Sequence, residues 1–362
     1  MAHLFIPGPT DVDPSILAAQ AQTMIGHRSM EGRELFDRIQ TRLRQVFQTT
    51  SRVYVSTSSG SGLQEAAVRN CVAERVLMCV CGAFGERWHE IAIANGIPAD
   101  RLDVEWGRPT TPDQVEEALR AGTYDAVAIV HNESSTGVET PIAAIADRVR
   151  QVAPDTLILV DAVSSLAGVD LRPDEWGLDV LLTSSQKCFA LPPGLSFAAV
   201  SDRTLDRART LSHRGWYFDF LLYEEYLAKG GTPATPAVSL LFALDRQLDR
   251  ILSEGLPARF ARHERMAVQV QDWASRRFEP FAAEGYRSKT VTAVRKSSPI
   301  DIPSLNAFLA RDGMTIADGY GPLKPASFRI GHMGEIQPSD VSRLLDRIDD
   351  FLDHPTRPAT AR

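Results

Sequence analysis

The chain has 362 residues, 44% hydrophobic and 23% charged, the composition of a globular protein long enough for one large domain and a smaller one. Its formal charge of −7 arises from 46 acidic and 39 basic residues that are interspersed, so no basic stripe exists to neutralise nucleic-acid phosphates or an anionic membrane surface. The four cysteines form no CxxC pair and no paired spacing against histidine, which excludes a structural metal site or disulfide framework and points to a reducing, cytoplasmic setting.

The first residues, "MAHLFIPGPTDVDP", carry acids and prolines where a secretory signal needs a basic start and an apolar stretch. No run of 18 apolar residues follows anywhere, so neither secretion nor membrane insertion is expected. From about residue 50 to 200, short β-branched runs ("RVYVST", "VLMCV", "AVAIV", "LILVD", "DVLLT", "SFAAV") alternate with amphipathic stretches such as "PDQVEEALRAG" and "PIAAIADRVRQVAP". Continuous apolar strands separated by helices predict an α/β fold with a mostly parallel sheet covered on both faces. Beyond residue 250 come a long helix ("ARFARHERMAVQVQDWASRR"), a strand ("TVTAVR"), a helix ("IPSLNAFLARDG"), a strand ("SFRIG") and a last helix opened by Ser339, a smaller α+β unit. The tail "HPTRPATAR" is expected to fray.

Ligands of open α/β sheets bind beyond the carboxyl ends of the strands, which singles out four segments. After "RVYVST", the small residues "SSGSG" open a helix at about Gly62; its free N–H groups, with the Ser59 and Ser61 hydroxyls, suit a phosphate, although a serine-capped turn has the same composition. The segment lacks the lysine of a Walker loop and the spacing of a dinucleotide fingerprint. After "AVAIV", the polar turn "HNESSTGVETP" can direct Asn132, Ser134 and Thr136 into the same crevice. After "LILV", Asp161 abuts four apolar residues, a costly place for a carboxylate unless a cationic or donor group meets it; otherwise it is a helix cap. After "DVLLT", Lys187 stands one crossover downstream of Asp161, so the two can reach one pocket from adjacent strand ends. A lysine partly desolvated there has a lowered pKa and becomes a usable amine nucleophile, whereas a snorkelling lysine would reach water. A phosphate cradle, a buried carboxylate and a Schiff-base lysine, each at a neighbouring strand end, are the three protein parts that pyridoxal 5'-phosphate needs.

These residues also resemble those of a known family, the class V aminotransferases of PLP-dependent transferase fold type I, in particular the alanine–glyoxylate and serine–glyoxylate (serine–pyruvate) group. The similarity runs from "PGPT" and "GHRSMEG" through "SSGSGLQEA", "GAFGERW", "HNESSTGV", "VDAVSSLAG", "SSQK", "TPATPAVSLLFALD" and "FRIGHMG". It implies a large domain at 16–250 with a mostly parallel seven-stranded sheet, a small C-terminal α+β domain at 251–354, an N-terminal segment at 1–15 over the active site and a flexible tail at 355–362. By the same resemblance Lys187 holds the cofactor aldehyde and moves the substrate proton, Asp161 pairs with the ring nitrogen, and Gln186 contacts phosphate or ring hydroxyl. Ser61 and Gly62 match the phosphate turn, with Leu63 where some members carry histidine. Phe84 matches the aromatic that stacks on the ring, tryptophan in some relatives, and Ser134 a residue near the ring hydroxyl and the substrate. Thr232 and Thr235 match positions that reach the phosphate from the partner subunit of a homodimer. Arg329 matches the clamp on the substrate carboxylate, and Gly8 a backbone contact to substrate. His27, Arg28 and the loop 213–220 resemble segments near the dimer interface, with no chemical step implied.

The expected activity is a ping-pong transfer of an amino group from alanine or serine to glyoxylate or pyruvate, with small molecules as the only partners besides the second subunit. A lyase of the same fold, such as a cysteine desulfurase, and a non-catalytic ligand sensor are the alternatives. The desulfurase lacks a cysteine in the C-terminal region, since the last one is Cys188. The sensor lacks a basic patch for nucleic acid.

Overall fold

The computed structural model describes residues 3–298 and 300–354, so the tail expected to fray lies outside the described residues. The chain enters through a short strand, β1 (His3–Phe5). Strands β2 (Arg52–Ser56), β3 (Val76–Val80), β4 (Ala99–Asp103) and β5 (Ala126–Val130) follow, then a two-residue ladder of β6 (Asn132–Glu133) with β7 (Val138–Glu139), then β8 (Leu157–Asp161), β9 (Val180–Ser184) and β10 (Ser196–Val200). Apart from the small ladder, β2 to β10 form one seven-stranded sheet in the order β2-β10-β9-β8-β5-β3-β4. Only β10 runs antiparallel, against β2 on one side and β9 on the other. The expected α/β fold with a mostly parallel sheet is what the chain adopts.

Both faces of this sheet are covered, which explains why its strands read as unbroken apolar runs. In β5, Val127 and Ile129 enter one core while Ala126, Ala128 and Val130 enter the other; in β8, Ile158 and Val160 part from Leu157 and Leu159 in the same way. Helices Met30–Phe47 and Val238–Glu254 pack on each other over the first face, and helix Gly60–Cys71 lies on the second, beneath β8, β9 and β10. Because β10 separates β2 from β9, the phosphate-turn candidate does not leave a strand next to the lysine strand, as the sequence suggested. The helix instead carries it across: the side chain that a Cβ on Gly60 would meet at 2.6 Å belongs to Val163, just past β8.

The last third of the chain builds a second sheet from β11 (Glu279–Pro280), β12 (Val291–Arg295), β13 (Met314–Asp318) and β14 (Ser327–Gly331), in the order β1-β13-β14-β12-β11. Helices Leu256–Arg277, Ile302–Leu309 and Pro338–Asp353 cover it. The last of these opens two residues earlier than Ser339 suggested. Gln337 is its cap, in a reciprocal capping box with Asp340 and with Pro338 in the first turn.

Strand β1 pairs in parallel with β13, so the N-terminus is stitched into the sheet built by the C-terminal third. Phe5 is fully buried there among Trp273, Ile316, Phe328 and Ile330. Phe5→Ala should lower the unfolding free energy by about 3–5 kcal/mol, the usual cost of emptying a buried phenylalanine site. Urea unfolding checks this; a loss below about 1 kcal/mol would show that the strand is not held by that side chain.

Candidate active site

Strands β8 and β9 are parallel neighbours, and Asp161, the last residue of β8, lies opposite Leu182. Strand β9 runs on two residues further before its turn presents Lys187, so a carboxylate and an amine enter one cavity of about 330 Å³ from adjoining strand ends. Burial pushes the Asp161 carboxyl up to about 6, opposed by the N–H of Val163 at 2.8 Å and the Gln64 side-chain amide at 2.6 Å, both donating to it. The Val163 bond is the local cap considered from the sequence; the Gln64 bond, from a helix 97 residues earlier in the chain, is not local. Burial likewise pushes the Lys187 ammonium down to about 8, with the positive charge of Arg329 adding to the effect. Lys187 Nζ donates to the Pro7 carbonyl.

The N-terminal segment closes over this lysine. The Thr10 N–H donates to the Gln186 carbonyl and its hydroxyl to the Lys187 carbonyl, each at 3.1 Å. Gly8 has φ of +111°, and a Cβ there would stand 2.6 Å from Lys187 Cδ, so glycine is demanded by both conformation and space.

The phosphate-turn candidate also lines the cavity, through Ser59, Gly60 and Ser61. The helix starts at Gly60, earlier than the sequence suggested, with Ser59 as its cap residue, and the Ser59 hydroxyl makes no capping bond. A helix N-terminus with its cap hydroxyl uncommitted is a ready anion site. The Leu63 side chain is 1% exposed and belongs to the apolar core, so any contact from this residue to a ligand would be through its backbone. Four buried polar atoms of cavity-lining residues, on Gln64, Asn132, Ser184 and Gln186, have no hydrogen-bond partner among the described residues. A wall of that kind fits a guest rich in donors and acceptors.

Ser134 donates to Ser164 at 2.5 Å on the cavity floor, while Thr136 bonds back to the Glu133 carbonyl within its own turn and does not line the cavity. Just before them in sequence, Glu133 is fully buried and accepts from the N–H groups of Phe84, Gly85 and Ser135 at 3.0, 3.2 and 3.1 Å and from the Ser135 hydroxyl at 2.6 Å. It therefore holds the N-terminus of helix Ala83–Ala94 and with it the Phe84 ring, which lines the cavity. Tyr320 stacks on Phe84 with centroids 5.4 Å apart. Arg329, 8% exposed, donates to the carbonyls of Asp318 at 3.1 Å and Ser134 at 3.2 Å, and lies over the Tyr320 ring.

Thr232 and Thr235 do not join this group within the chain. Thr232 lines a separate depression with His27, Arg28 and Tyr226, and Thr235 is exposed. In the loop 213–220, Trp216 and Tyr217 are exposed, and the Phe218 ring lies where a Cβ on Gly62 would meet it at 2.8 Å. All four cysteines are buried, and burial pushes the Cys188 thiol up to about 12, so none offers a thiolate. Among the described residues no group of His, Cys, Asp and Glu is placed to hold a metal ion. Gln64, Glu133, Ser164, Ser184, Arg87 and Tyr320 escaped the sequence reading. Two had a signal: Gln64 follows Ser61, and Arg87 follows Phe84, by three residues on a helix, which puts each pair on one face.

The family "Aminotransferase class-V" matches residues 15–319. An uncharacterized aminotransferase of Methanocaldococcus jannaschii is 39% identical over 94% of this chain and 90% of its own. The soluble hydrogenase small subunit of a Synechococcus strain is 35% identical over 97% of this chain and 93% of its own. The crystal structure of alanine–glyoxylate aminotransferase from Nostoc superposes with a TM-score of 0.91 at 28% identity, covering 97% of this chain and 95% of that one.

The depressed value at Lys187 has a consequence for the ligand-free protein. Between about 8 and the ordinary 10.5 the unfolded chain keeps a proton that the folded chain has released, so this group's contribution to stability is full above 10.5 and is lost as pH falls through 8. Relative to Lys187→Met, the unmodified protein should therefore gain stability as pH rises over that window, by up to about 3 kcal/mol. Urea unfolding of both at pH 7.5 and 10 measures the difference; parallel pH profiles would contradict it.

Proposed function

Because the chain belongs to the class V aminotransferases, we propose that it moves an amino group from a small amino acid, alanine or serine, to a small 2-oxo acid, glyoxylate or pyruvate, in two alternating half-reactions. The observation that carries this reading is the meeting of Lys187 and Asp161 in one cavity beside an anion-ready helix start. The alanine–glyoxylate activity in the name of the Nostoc enzyme supports the choice of substrates.

Enzymes of this class use pyridoxal 5'-phosphate, whose ring, when bound, supplies a sink for the electrons left at the substrate α-carbon. The residues present fit it. The Gly60–Gly62 helix start and the Ser59 and Ser61 hydroxyls would hold the phosphate. Asp161 would meet the ring nitrogen, and a cation there would draw its raised carboxyl back to the ionised form. Phe84 would cover the ring face, with Gln186 and Ser134 toward the ring hydroxyl.

Lys187 would bind the aldehyde and, once the donor's amino group has displaced it, its freed Nζ would take the proton from the substrate α-carbon and return it. Arg329, held rigid by two carbonyls, would orient the substrate carboxylate. The segment Pro7–Thr10 shields the amine from water, Gly8 offering only backbone.

We propose a homodimer in which the partner's copies of Thr232 and Thr235 complete the phosphate site. The exposed place of Thr235, away from its own chain's cavity, supports that arrangement. A division into domains near residue 250 and a cytoplasmic location complete the reading. Among the described residues no helix is long and apolar enough to cross a membrane. A desulfurase finds no support in the four buried thiols.

Lys187→Ala should abolish both the visible absorbance of the bound cofactor's lysine adduct and the transfer of amino groups. Absorbance spectra and stopped-flow half-reactions with each amino acid check this, and full turnover by the variant would overturn the assignment. Should the unmodified yellow protein react with no amino acid, it would be a sensor.

A further inference from the structure

Arg259, Arg262 and His263 share one face at the start of helix Leu256–Arg277, and all three are buried without lining the cavity. Arg259 is 1% exposed, and its guanidinium is divided among four chain segments. Its Nε donates to the Ala167 carbonyl at 2.9 Å, in the segment that follows Asp161, and its Nη2 to the Cys188 carbonyl at 2.7 Å, just after Lys187. Its Nη1 pairs with Glu335 at 3.1 Å, in the segment that follows Arg329, and with Glu254 at 2.7 Å. One planar fork thus reaches the chain beyond each of the three residues assigned to ring nitrogen, aldehyde and substrate carboxylate.

The turns it holds need holding. Ala167 has φ of +70°, and the turn closed by the Ala190 N–H on the Lys187 carbonyl at 2.8 Å puts Ala190 at φ of +50°, conformations that a side chain tolerates only when its surroundings impose them. Thr10 takes the carbonyls of Gln186 and Lys187, so Cys188 is the point at which the body of the protein grips the same turn. Arg262 donates to the carbonyls of Gly334 at 3.1 Å and Ile336 at 2.6 Å, and His263 Nε2 accepts from the Gly334 N–H at 3.1 Å. Gly334 lies against the lysine turn, where a Cβ on it would stand 3.2 Å from that of Ala190. We propose that Arg259 is a positioning residue for Lys187: through the Cys188 carbonyl it sets the height from which Nζ reaches the cofactor aldehyde, and through Glu335 it ties that turn to the segment following Arg329. The proposal rests on the aminotransferase reading. Arg259 itself touches no reacting atom.

Two rates test this. In protein freed of cofactor and mixed with pyridoxal 5'-phosphate, borohydride trapping measures how fast the Lys187 amine and the aldehyde join with loss of water, a readout that needs no amino acid. In the loaded enzyme, stopped-flow spectra with alanine or serine separate the limiting rate of the half-reaction from the donor's dissociation constant. Arg259→Met should slow both the joining and the limiting rate by about 10- to 100-fold, the cost of a reacting group misplaced by about 1 Å, and leave the donor's dissociation constant unchanged. A residue that only staples the fold would lower the melting temperature and leave both rates intact in the folded fraction; that result would overturn the proposal, as would weaker donor binding at an unchanged limiting rate. Arg259→Lys keeps a charge against Glu254 and Glu335 but cannot serve both turns from one nitrogen, so it should slow both rates too, and it decides the question if Arg259→Met does not fold. If no amino acid reacts but the joining still slows in the variants, the transfer reading fails while the positioning role stands.

Discussion

Everything in the site follows from the parallel pairing of β8 with β9, which ends two neighbouring strands at the same edge of a sheet covered on both faces. That pairing removes Asp161 and Lys187 from water together, and desolvation then drives both toward neutrality, the acid up and the amine down. Neither shift needs the other group as its main cause, since burial comes first for each. The edge is therefore prepared for a guest that supplies what each lacks: a cation for the carboxylate and an electrophile for the amine.

The second constraint is a buried acid that no sequence pattern marks. Glu133 is buried without a cation, and four N–H or O–H donors take the place of one. Two of these donors, the N–H groups of Phe84 and Gly85, open the helix that carries Phe84 and Arg87, so this buried carboxylate fixes the pose of two residues that line the cavity. Gly82 makes this possible, since a Cβ there would stand 2.5 Å from the Glu133 side chain.

The legible part of the molecule was the part written in apolar runs and strand ends. Six of the seven strands of the large sheet were visible because burial on both faces leaves no polar interruption; β4, "ADRLD", was missed because it is an edge strand with exposed charges. β1 was missed for a different reason, since its partner β13 lies some three hundred residues away in sequence and no local pattern announces such pairing. Asp161 and Lys187 could be found because a charge directly after a buried strand is anomalous. Gln64, Arg87 and Tyr320 look like ordinary residues of helix and loop, and only the crossing of helix Gly60–Cys71 beneath β9 and the approach of the small sheet give them neighbours. Leu63, one step round the helix from Gly62, turns its side chain into the apolar core, which the sequence pattern around it does not announce.

The two sheets divide the site between them. Residues suited to a ring and a phosphate, Ser61, Asp161 and Lys187, leave the strand ends of the large sheet, whereas those suited to a substrate, Tyr320 and Arg329, come from the β13–β14 hairpin of the small one. Strand β1 belongs to that same small sheet, and Pro7, two residues beyond it, accepts from Lys187 while Thr10 grips the backbone of the lysine turn. A displacement of the small sheet would thus carry Arg329 and the cover over the amine as one body. A ligand that moved Arg329 would in that way also move the cover over Lys187 through the backbone of a single sheet, without any contact between the two side chains being needed.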